Sequence, residues 1–542
     1  MPSRRSAGRC LRENEPRLLQ YRICKEPRVT DLLHLPISVS DLVAQALSRD
    51  LDRLVAIGQD GERLTARGLA EDISRIQQVF EGLESRPRRA AMLSRNRLEI
   101  LAVNSALGFA GVVATALHPM GSVEDYLYVL EDAEVDLLIY DPGHYEPIAA
   151  ALTERAPRLR HVFAMGGEGT GRNLTEAARD YTPRPLVAPA FAPDALMRIA
   201  YSGGTTGKPK GIMCSQGASA TSALIQLMSW EWPNEIRHLI CAPLSHSGAA
   251  VLTSVLVRGG HMVVVPGFEP VAVMQAIEEH RITSILLVPT MVLALIDHPR
   301  FGEFDLSSLE VVFYGASAFP AARLKDAIER MGPVFFQFYG QAEAPMSITV
   351  LRRDEHKVDD PERLASCGRP TPLVRVALMD DDMNEVPDGT PGEICVRGPL
   401  VNLGYLNKPE ETAQAFAGGW LHTGDVAVRS ADGYLRIVDR KKDMIVTGGF
   451  NVFAREVEDV LVEHPAVRQA AVIGVPDPKW GEAVKAVVVL EPGVEVDAEV
   501  LIAQVRERKG SVQAPKSVDF VEALPVTPLG KPDKKALRNR YA

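Results

Sequence analysis

Leu196-Met-Arg-Ile-Ala-Tyr-Ser-Gly-Gly-Thr-Thr-Gly-Lys-Pro-Lys-Gly211 is a short apolar run that breaks into a loop of glycines, hydroxyls and lysines. Leu196 to Ala200 reads as a buried strand, and Tyr201 to Gly211 as a loop at its carboxyl end. Each residue type in that loop suits one kind of ligand. Glycine lets the backbone turn tightly and come close to a ligand, hydroxyl and N–H groups hydrogen-bond phosphate oxygens, and lysines add positive charge. Ser202, Gly203, Gly204, Thr205, Thr206, Gly207, Lys208 and Lys210 are therefore candidate phosphate-binding residues. The loop is not the common GxxxxGK[ST] motif, which needs glycine at Ser202 and serine or threonine at Pro209.

Downstream the same pattern recurs. Arg237 to Ala242 and Gly260 to Val265 read as strands, followed by a helix from Pro270 to Arg281 that places Val273, Met274 and Ile277 on one face. Ile282 to Pro289 and Leu309 to Tyr314 read as buried strands, Pro320 to Met331 as a helix, and Val334 to Tyr339 as another strand. This alternation predicts βαβ units and a mostly parallel sheet, hence an α/β fold. Three strand-like runs end in Ser202–Gly207, Gly315–Ala318 and Gly340–Ala344. Ligands of open α/β sheets collect beyond the carboxyl ends of the strands, so the three loops are expected to share one site.

The charged run Asp439-Arg-Lys-Lys-Asp443 interrupts the pattern and reads as a solvated turn between domains. Residues 1–438 are expected to form a large N-terminal domain with parallel sheets and flanking helices, and residues 444–542 a small α+β domain. The small domain should hold a helix at Ala454–Glu463, strands at Ala470–Gly474 and Ala483–Leu490, and a helix over Asp497–Lys509 capped by Asp497.

Composition narrows the function. A chain of 542 residues needs more than one core, and its 46% hydrophobic and 24% charged content is that of a globular protein. A net charge of −10 argues against nucleic acid as a partner, since phosphate-backbone binding leaves a basic footprint. Six cysteines without CxxC or CxxH spacing predict reduced thiols in the cytoplasm, with neither a zinc site nor a disulfide framework. No run approaches the ~20 apolar residues of a membrane span, and Met1 to Gln20 lacks the apolar core of a secretory signal. Monomer and homodimer both remain open.

Further stretches complete a resemblance that runs in order along almost the whole chain. Tyr201–Gly211, Pro243-Leu-Ser-His246, Gly315-Ala-Ser-Ala318, Tyr339-Gly-Gln-Ala-Glu343, Leu421-His-Thr-Gly-Asp425, Val438-Asp-Arg-Lys-Lys-Asp443, Thr447-Gly-Gly-Phe-Asn451, Pro476-Asp-Pro-Lys-Trp-Gly-Glu482 and Thr527-Pro-Leu-Gly-Lys531 resemble motifs of the adenylate-forming superfamily of acyl-CoA synthetases, adenylation domains and luciferases.

The resemblance implies a role for each. Lys531 would reach the active site during adenylation, Glu343 would help hold magnesium, and His246 would border the acyl pocket with Ser247, Gly248, Gly315, Ala316 and Gly340. Gly315, Ala316, Ser317, Tyr339, Gly340, Gln341 and Ala342 would line the nucleotide, while Asp425 and Arg440 would take the ribose. Lys442 falls at the hinge, and Gly448, Gly449 and Phe450 at the loop that approaches the thiol.

The implied activity is ligation of a hydrophobic acid to coenzyme A, with ATP and Mg2+, through an acyl-adenylate; the small residues of Ser245–Ala250, with Gly315 and Ala316, leave width for a ring or a branched chain and favour an aromatic or bulky acid over a fatty one. An enzyme that loads a carrier-protein thiol, or a non-catalytic nucleotide-binding relative, would carry many of the same residues. One departure stands out: the superfamily's YGxTE has Ala342 in place of threonine, losing a hydrogen bond to phosphate worth about 1.5–3 kcal/mol. Ser202, Thr205 and Thr206, or a water, are expected to compensate. Ala342→Thr should then leave acid-dependent pyrophosphate release nearly unchanged, and a manyfold rise would rule compensation out.

Overall fold

A computed structural model describes residues 36–202, 209–245, 247–448, 450–526 and 532–541. Its centre is a nine-stranded sheet in which Leu54–Ile57, His261–Val264, Arg237–Ile240, Ser284–Leu287, Val311–Tyr314 and Phe335–Gln341 lie side by side and parallel. Antiparallel strands close both edges: Arg63–Thr65 at one, Ala344–Leu351 with Arg369–Pro370 at the other. A seven-stranded sheet, also mostly parallel, carries Leu196–Ser202 near its edge, paired antiparallel with Lys210–Ser215.

The central strands read as unbroken apolar runs because both faces of the sheet are covered. Alternate residues enter different cores. Val311, Phe313, Phe336 and Phe338 pack with Trp230 and Trp232 on one side, whereas Val312, Tyr314 and Phe335 pack with Val273, Ile277 and Leu324 on the other. Trp230 stacks on Phe338 with ring centroids 5.1 Å apart.

A four-stranded antiparallel sheet comes next, built from Arg375–Met379, Gly392–Arg397, Leu421–Arg429 and Leu435–Arg440. Its last strand runs directly into a short 3-10 turn, Lys441–Asp443. Beyond it, the described residues form five strands and three helices of the smaller C-terminal part, dominated by the hairpin Val467–Asp477 and Gly481–Leu490. Leu537 of the last helix, Lys534–Tyr541, is fully buried against it.

The expected elements of the parallel sheet and of the C-terminal part are present, with shifted ends. Asp497 caps its helix, accepting from the Glu499 N–H. The strand expected over Ile282–Pro289 stops at Leu287, because Pro289 opens a helix, Pro289–Ile296, where its fixed φ suits the first turn. Pro320, by contrast, is the cap of its helix and is extended at ψ 131°, so the helix begins at Ala321. The run 439–443 is not a fully solvated turn: Asp439 is only 5% exposed.

Candidate functional site

Two neighbouring parallel strands end at the site. Val311–Tyr314 delivers Gly315, Ala316 and Ser317, and Phe335–Gln341 delivers Tyr339, Gly340 and Gln341. Both glycines are required by close approach rather than by φ. A Cβ on Gly315 would lie 2.3 Å from the Phe338 carbonyl oxygen, and one on Gly340 would lie 2.3 Å from the Met346 nitrogen.

Across the gap, the antiparallel sheet presents Asp425, 3% exposed. The Tyr339 hydroxyl donates to Asp425 Oδ2 at 2.6 Å, and Arg440 Nε lies 2.6 Å from Oδ1. Strand register places Arg440 directly opposite Asp425, so the ion pair is built into the sheet. Thr423 Oγ1 accepts the Asp425 N–H at 3.1 Å and donates to the Ile394 carbonyl. Burial first, and Asp425 second, push the Tyr339 phenol far above its ordinary range, so it acts as a neutral donor.

A cavity of about 880 Å³ opens here, lined by Ala316, Ser317, Tyr339, Gly340, Asp425, Arg440 and Lys442, with Arg455, Lys534 and Arg538 of the C-terminal part opposite. It is large enough for a nucleotide. Lys442 lies in its wall, its ammonium pKa lowered mainly by burial and partly restored by Asp443.

Gln341, Ala342 and Glu343 are not part of the cavity lining; Glu343 sits on the turn after Phe335–Gln341, with Ala342 exposed next to it. Asn402 fixes that turn, donating from Nδ2 to the Ala342 carbonyl and from its backbone N–H to the Glu343 carbonyl, both at 2.8 Å. The Tyr405 hydroxyl donates to Glu343 Oε1 at 2.7 Å. Lys210 pairs with Glu411, and its ammonium stands 5.3 Å from the Tyr405 ring centre. Asn402 and Tyr405 thus join the edge of the glycine-rich loop to Glu343. Neither was expected from the sequence, because two ordinary polar residues some sixty positions from Glu343 show no spacing signal. A half-buried carboxylate fits magnesium, a hard cation that takes one or two carboxylates plus phosphate oxygens.

Among the described residues, Gly248, Gly448 and Phe450 do not line this cavity. Gly248 is buried in the short turn Ser247–Ala249. Gly448 is held by its N–H to the Trp480 carbonyl at 2.8 Å, and Phe450 is 60% exposed. Gly203, Gly204, Thr205, Thr206, Gly207, Lys208, His246, Gly449 and Lys531 lie outside the described residues.

Comparison with known proteins bears on this geometry. The family model of AMP-binding enzymes matches residues 43–406, and that of the AMP-binding enzyme C-terminal domain matches residues 456–531. A medium/long-chain-fatty-acid–CoA ligase of Mycobacterium tuberculosis, FadD8, is 49% identical over 525 residues, covering 94% of this chain and 91% of its own. A feruloyl-CoA synthase of an Amycolatopsis species is 37% identical over 489 residues, covering 90% of this chain and 96% of its own. Among solved structures, the amide bond synthetase McbA of Marinactinospora thermotolerans superposes with a TM-score of 0.85 at 34% identity, over 93% of this chain and all of its own (100%).

One carboxylate at the cavity has a testable titration. Asp439 accepts from the Arg440 N–H at 2.7 Å and faces Lys534, Glu458 and the Arg455 N–H. Burial raises its pKa from 3.8 to about 6, against the pull of Lys534. The folded state therefore holds its proton more tightly than the unfolded chain. Ionised Asp439 costs stability above about pH 6, and the cost fades as pH falls towards about 4. Asp439→Asn should be more stable than the parent at neutral pH, with an advantage that shrinks across that window. A difference that stays constant with pH, followed by urea unfolding, would show that Asp439 does not titrate there.

Proposed function

We infer the reaction from one premise: the chain belongs to the AMP-binding enzyme family, whose models match most of its length. It is an AMP-forming acid–CoA ligase that makes an acyl-adenylate and then an acyl-CoA thioester from a hydrophobic acid, with ATP and CoA as co-substrates. The observation that carries this reading is the Tyr339–Asp425–Arg440 constellation, a buried tyrosine and carboxylate met by a half-exposed arginine, in the wall of a nucleotide-sized cavity.

The first step joins two anions, so it needs charge neutralisation and in-line placement more than a general base. Asp425 takes the ribose hydroxyls, a pairing that suits the two oxygens of one carboxylate. The Tyr339 ring packs on adenine, with Gly315, Ala316 and Ser317 along its edge. Glu343, oriented by Tyr405, would hold magnesium, which supplies positive charge to the phosphates when bound. The glycine-rich loop and Lys531 hold the phosphates while the carboxylate oxygen attacks the α-phosphorus and pyrophosphate leaves. In the second step the thiol sulfur attacks the acyl carbon, its proton is lost, and AMP departs.

The division of labour matches the domains, which we place at 1–438 and 444–542 with a hinge at 439–443. Rotation about Lys442 withdraws Lys531 and brings the Gly448–Phe450 loop to the thiol. Magnesium as the metal and the cytoplasm as the compartment belong to the same proposal. Among the described residues no helix is long and apolar enough to cross a membrane. For the acid, the 49% identity to a fatty-acid ligase supports a medium or long aliphatic chain. The small residues Gly248, Gly315 and Ala316, taken from sequence alone, incline instead towards a ring.

ATP-dependent pyrophosphate release measured over a panel of aliphatic and hydroxycinnamic acids, with and without CoA, tests the whole reading. CoA-dependent AMP release is expected, with medium or long fatty acids preferred. Turnover supported only by amines or a carrier protein would replace CoA as acceptor. Lys531→Ala should abolish acyl-adenylate formation yet still convert supplied acyl-adenylate to thioester, and equal loss in both half-reactions would contradict its assigned role.

A further inference from the structure

Glu393 lies on the strand Gly392–Arg397, which borders the one carrying Asp425, and is only 6% exposed. A carboxylate this enclosed needs partners for both oxygens. Oε1 accepts the Gly424 N–H at 3.0 Å. Oε2 accepts from Lys441 Nζ at 3.2 Å and lies 3.0 Å from His422 Nδ1. Burial alone would raise the Glu393 pKa, but His422, Gly424 and Lys441 together outweigh it and hold the group ionised.

Those partners sit at two functional places. Gly424, in a left-handed conformation at φ 69°, immediately precedes Asp425, and His422 and Thr423 belong to the same stretch of strand, where the pairing with Gly392–Arg397 is irregular. Lys441 is the first residue of the hinge turn Lys441–Asp443 and comes directly after Arg440, the ion-pair partner of Asp425. The hinge segment thus sends consecutive residues, Arg440 and Lys441, to two neighbouring carboxylates, Asp425 and Glu393. At the other end of the turn, Asp443 Oδ1 receives Arg538 Nη2 at 2.8 Å from the helix that comes after Lys531. The turn is clamped to the large domain through residue 441 and to the C-terminal helix through residue 443, which leaves residue 442 between them.

Glu393, Cys395 and His422 bring one donor atom each within 4.8 Å of one another. The Lys441 ammonium already supplies the positive charge a metal would bring to the same oxygen. The group is an ion-pair network.

We propose that Glu393 is a positioning residue that couples the ribose-binding segment to the hinge by holding Gly424 and Lys441 on one carboxylate. The proposal rests on the reading of Asp425 as ribose ligand and Lys442 as hinge. When Lys441 moves with the hinge, Glu393 loses its main counter-charge and the segment that presents Asp425 loosens. Nucleotide affinity then depends on domain position. Arg440 senses the same movement, being the neighbour of Lys441.

The test is a double-mutant cycle in the full-length enzyme. Glu393→Gln keeps an acceptor for the Gly424 N–H but removes the charge, and Lys441→Met removes the hinge cation. Lys441 is partly exposed and also meets Asp381, so its replacement keeps the test available should Glu393→Gln not fold. Each single variant should raise KM for ATP about fivefold, and the double variant no further than the worse single. With supplied acyl-adenylate, whose ribose meets the same Asp425, the variants should raise KM as well, with a smaller change in kcat. Multiplying effects, or losses confined to thermal stability with KM unchanged, would overturn the coupling. A parent enzyme without acid-dependent ATP turnover would instead remove the functional reading on which the coupling stands.

Discussion

The Asp425 carboxylate is the contact on which the rest of the site depends. It is almost fully enclosed, and an enclosed carboxylate is tolerated only where hydrogen bonds and a counter-charge replace water. Tyr339 supplies one from the last parallel strand of the central sheet, and Arg440 the other from the strand that runs into the turn Lys441–Asp443. A single group thereby joins three structural parts. The carboxyl end of the central sheet, the antiparallel sheet and the entry to the C-terminal part are brought to one wall of the cavity by the need to satisfy one buried charge.

Much of the fold was legible because of how the central sheet is built. Phe313 and Tyr314, or Phe335 and Phe336, face opposite cores, so every residue of the strand is apolar and the run stands out without alternation. The intervening helix at Pro270 announces itself by proline at its first turn and one apolar face. Boundaries were less legible where proline has two uses. Pro289 begins a helix and Pro320 only caps one, and nothing in the local sequence separates the two cases. The seven-stranded sheet was not read at all beyond Leu196–Ala200, a strand that in fact continues to Ser202. Its strands, such as Arg89–Leu93 and Val113–Ala116, are short and rich in alanine, which is no stronger a signal for strand than for helix.

The site divides along the same line. Residues whose role is set by backbone geometry, Gly315 and Gly340, were legible because few other residues fit, and so was the neighbouring Tyr339 through its motif. Asn402, Tyr405 and Glu393 were not. Each acts by holding another residue in place across the fold, Asn402 on the Ala342–Glu343 turn, Tyr405 on Glu343, and Glu393 on Gly424 and Lys441. Such a role is a property of distance in three dimensions. It leaves no spacing in the chain, and asparagine, tyrosine or glutamate at a strand end looks the same whether it orients a ligand or meets solvent.

The segment we propose as a hinge combines burial with contacts that permit movement. Asp439 is enclosed and Lys442 lines the cavity, while Lys441 and Asp443 are each tied by an ion pair to a different partner. A run of five charged residues looked like a solvated linker, yet its charges are mostly spent on fixing the segment at both ends. Ion pairs suit that task better than apolar contacts. Lys441 and Arg538 keep 44% and 33% of their side chains exposed, so water can replace part of each pair, whereas an apolar side chain withdrawn from a core finds no such replacement. A turn held by such pairs would be defined in each position that a domain rotation gave it and locked in neither. That is what a single cavity needs if it is to make an adenylate in one arrangement of its domains and consume it in another.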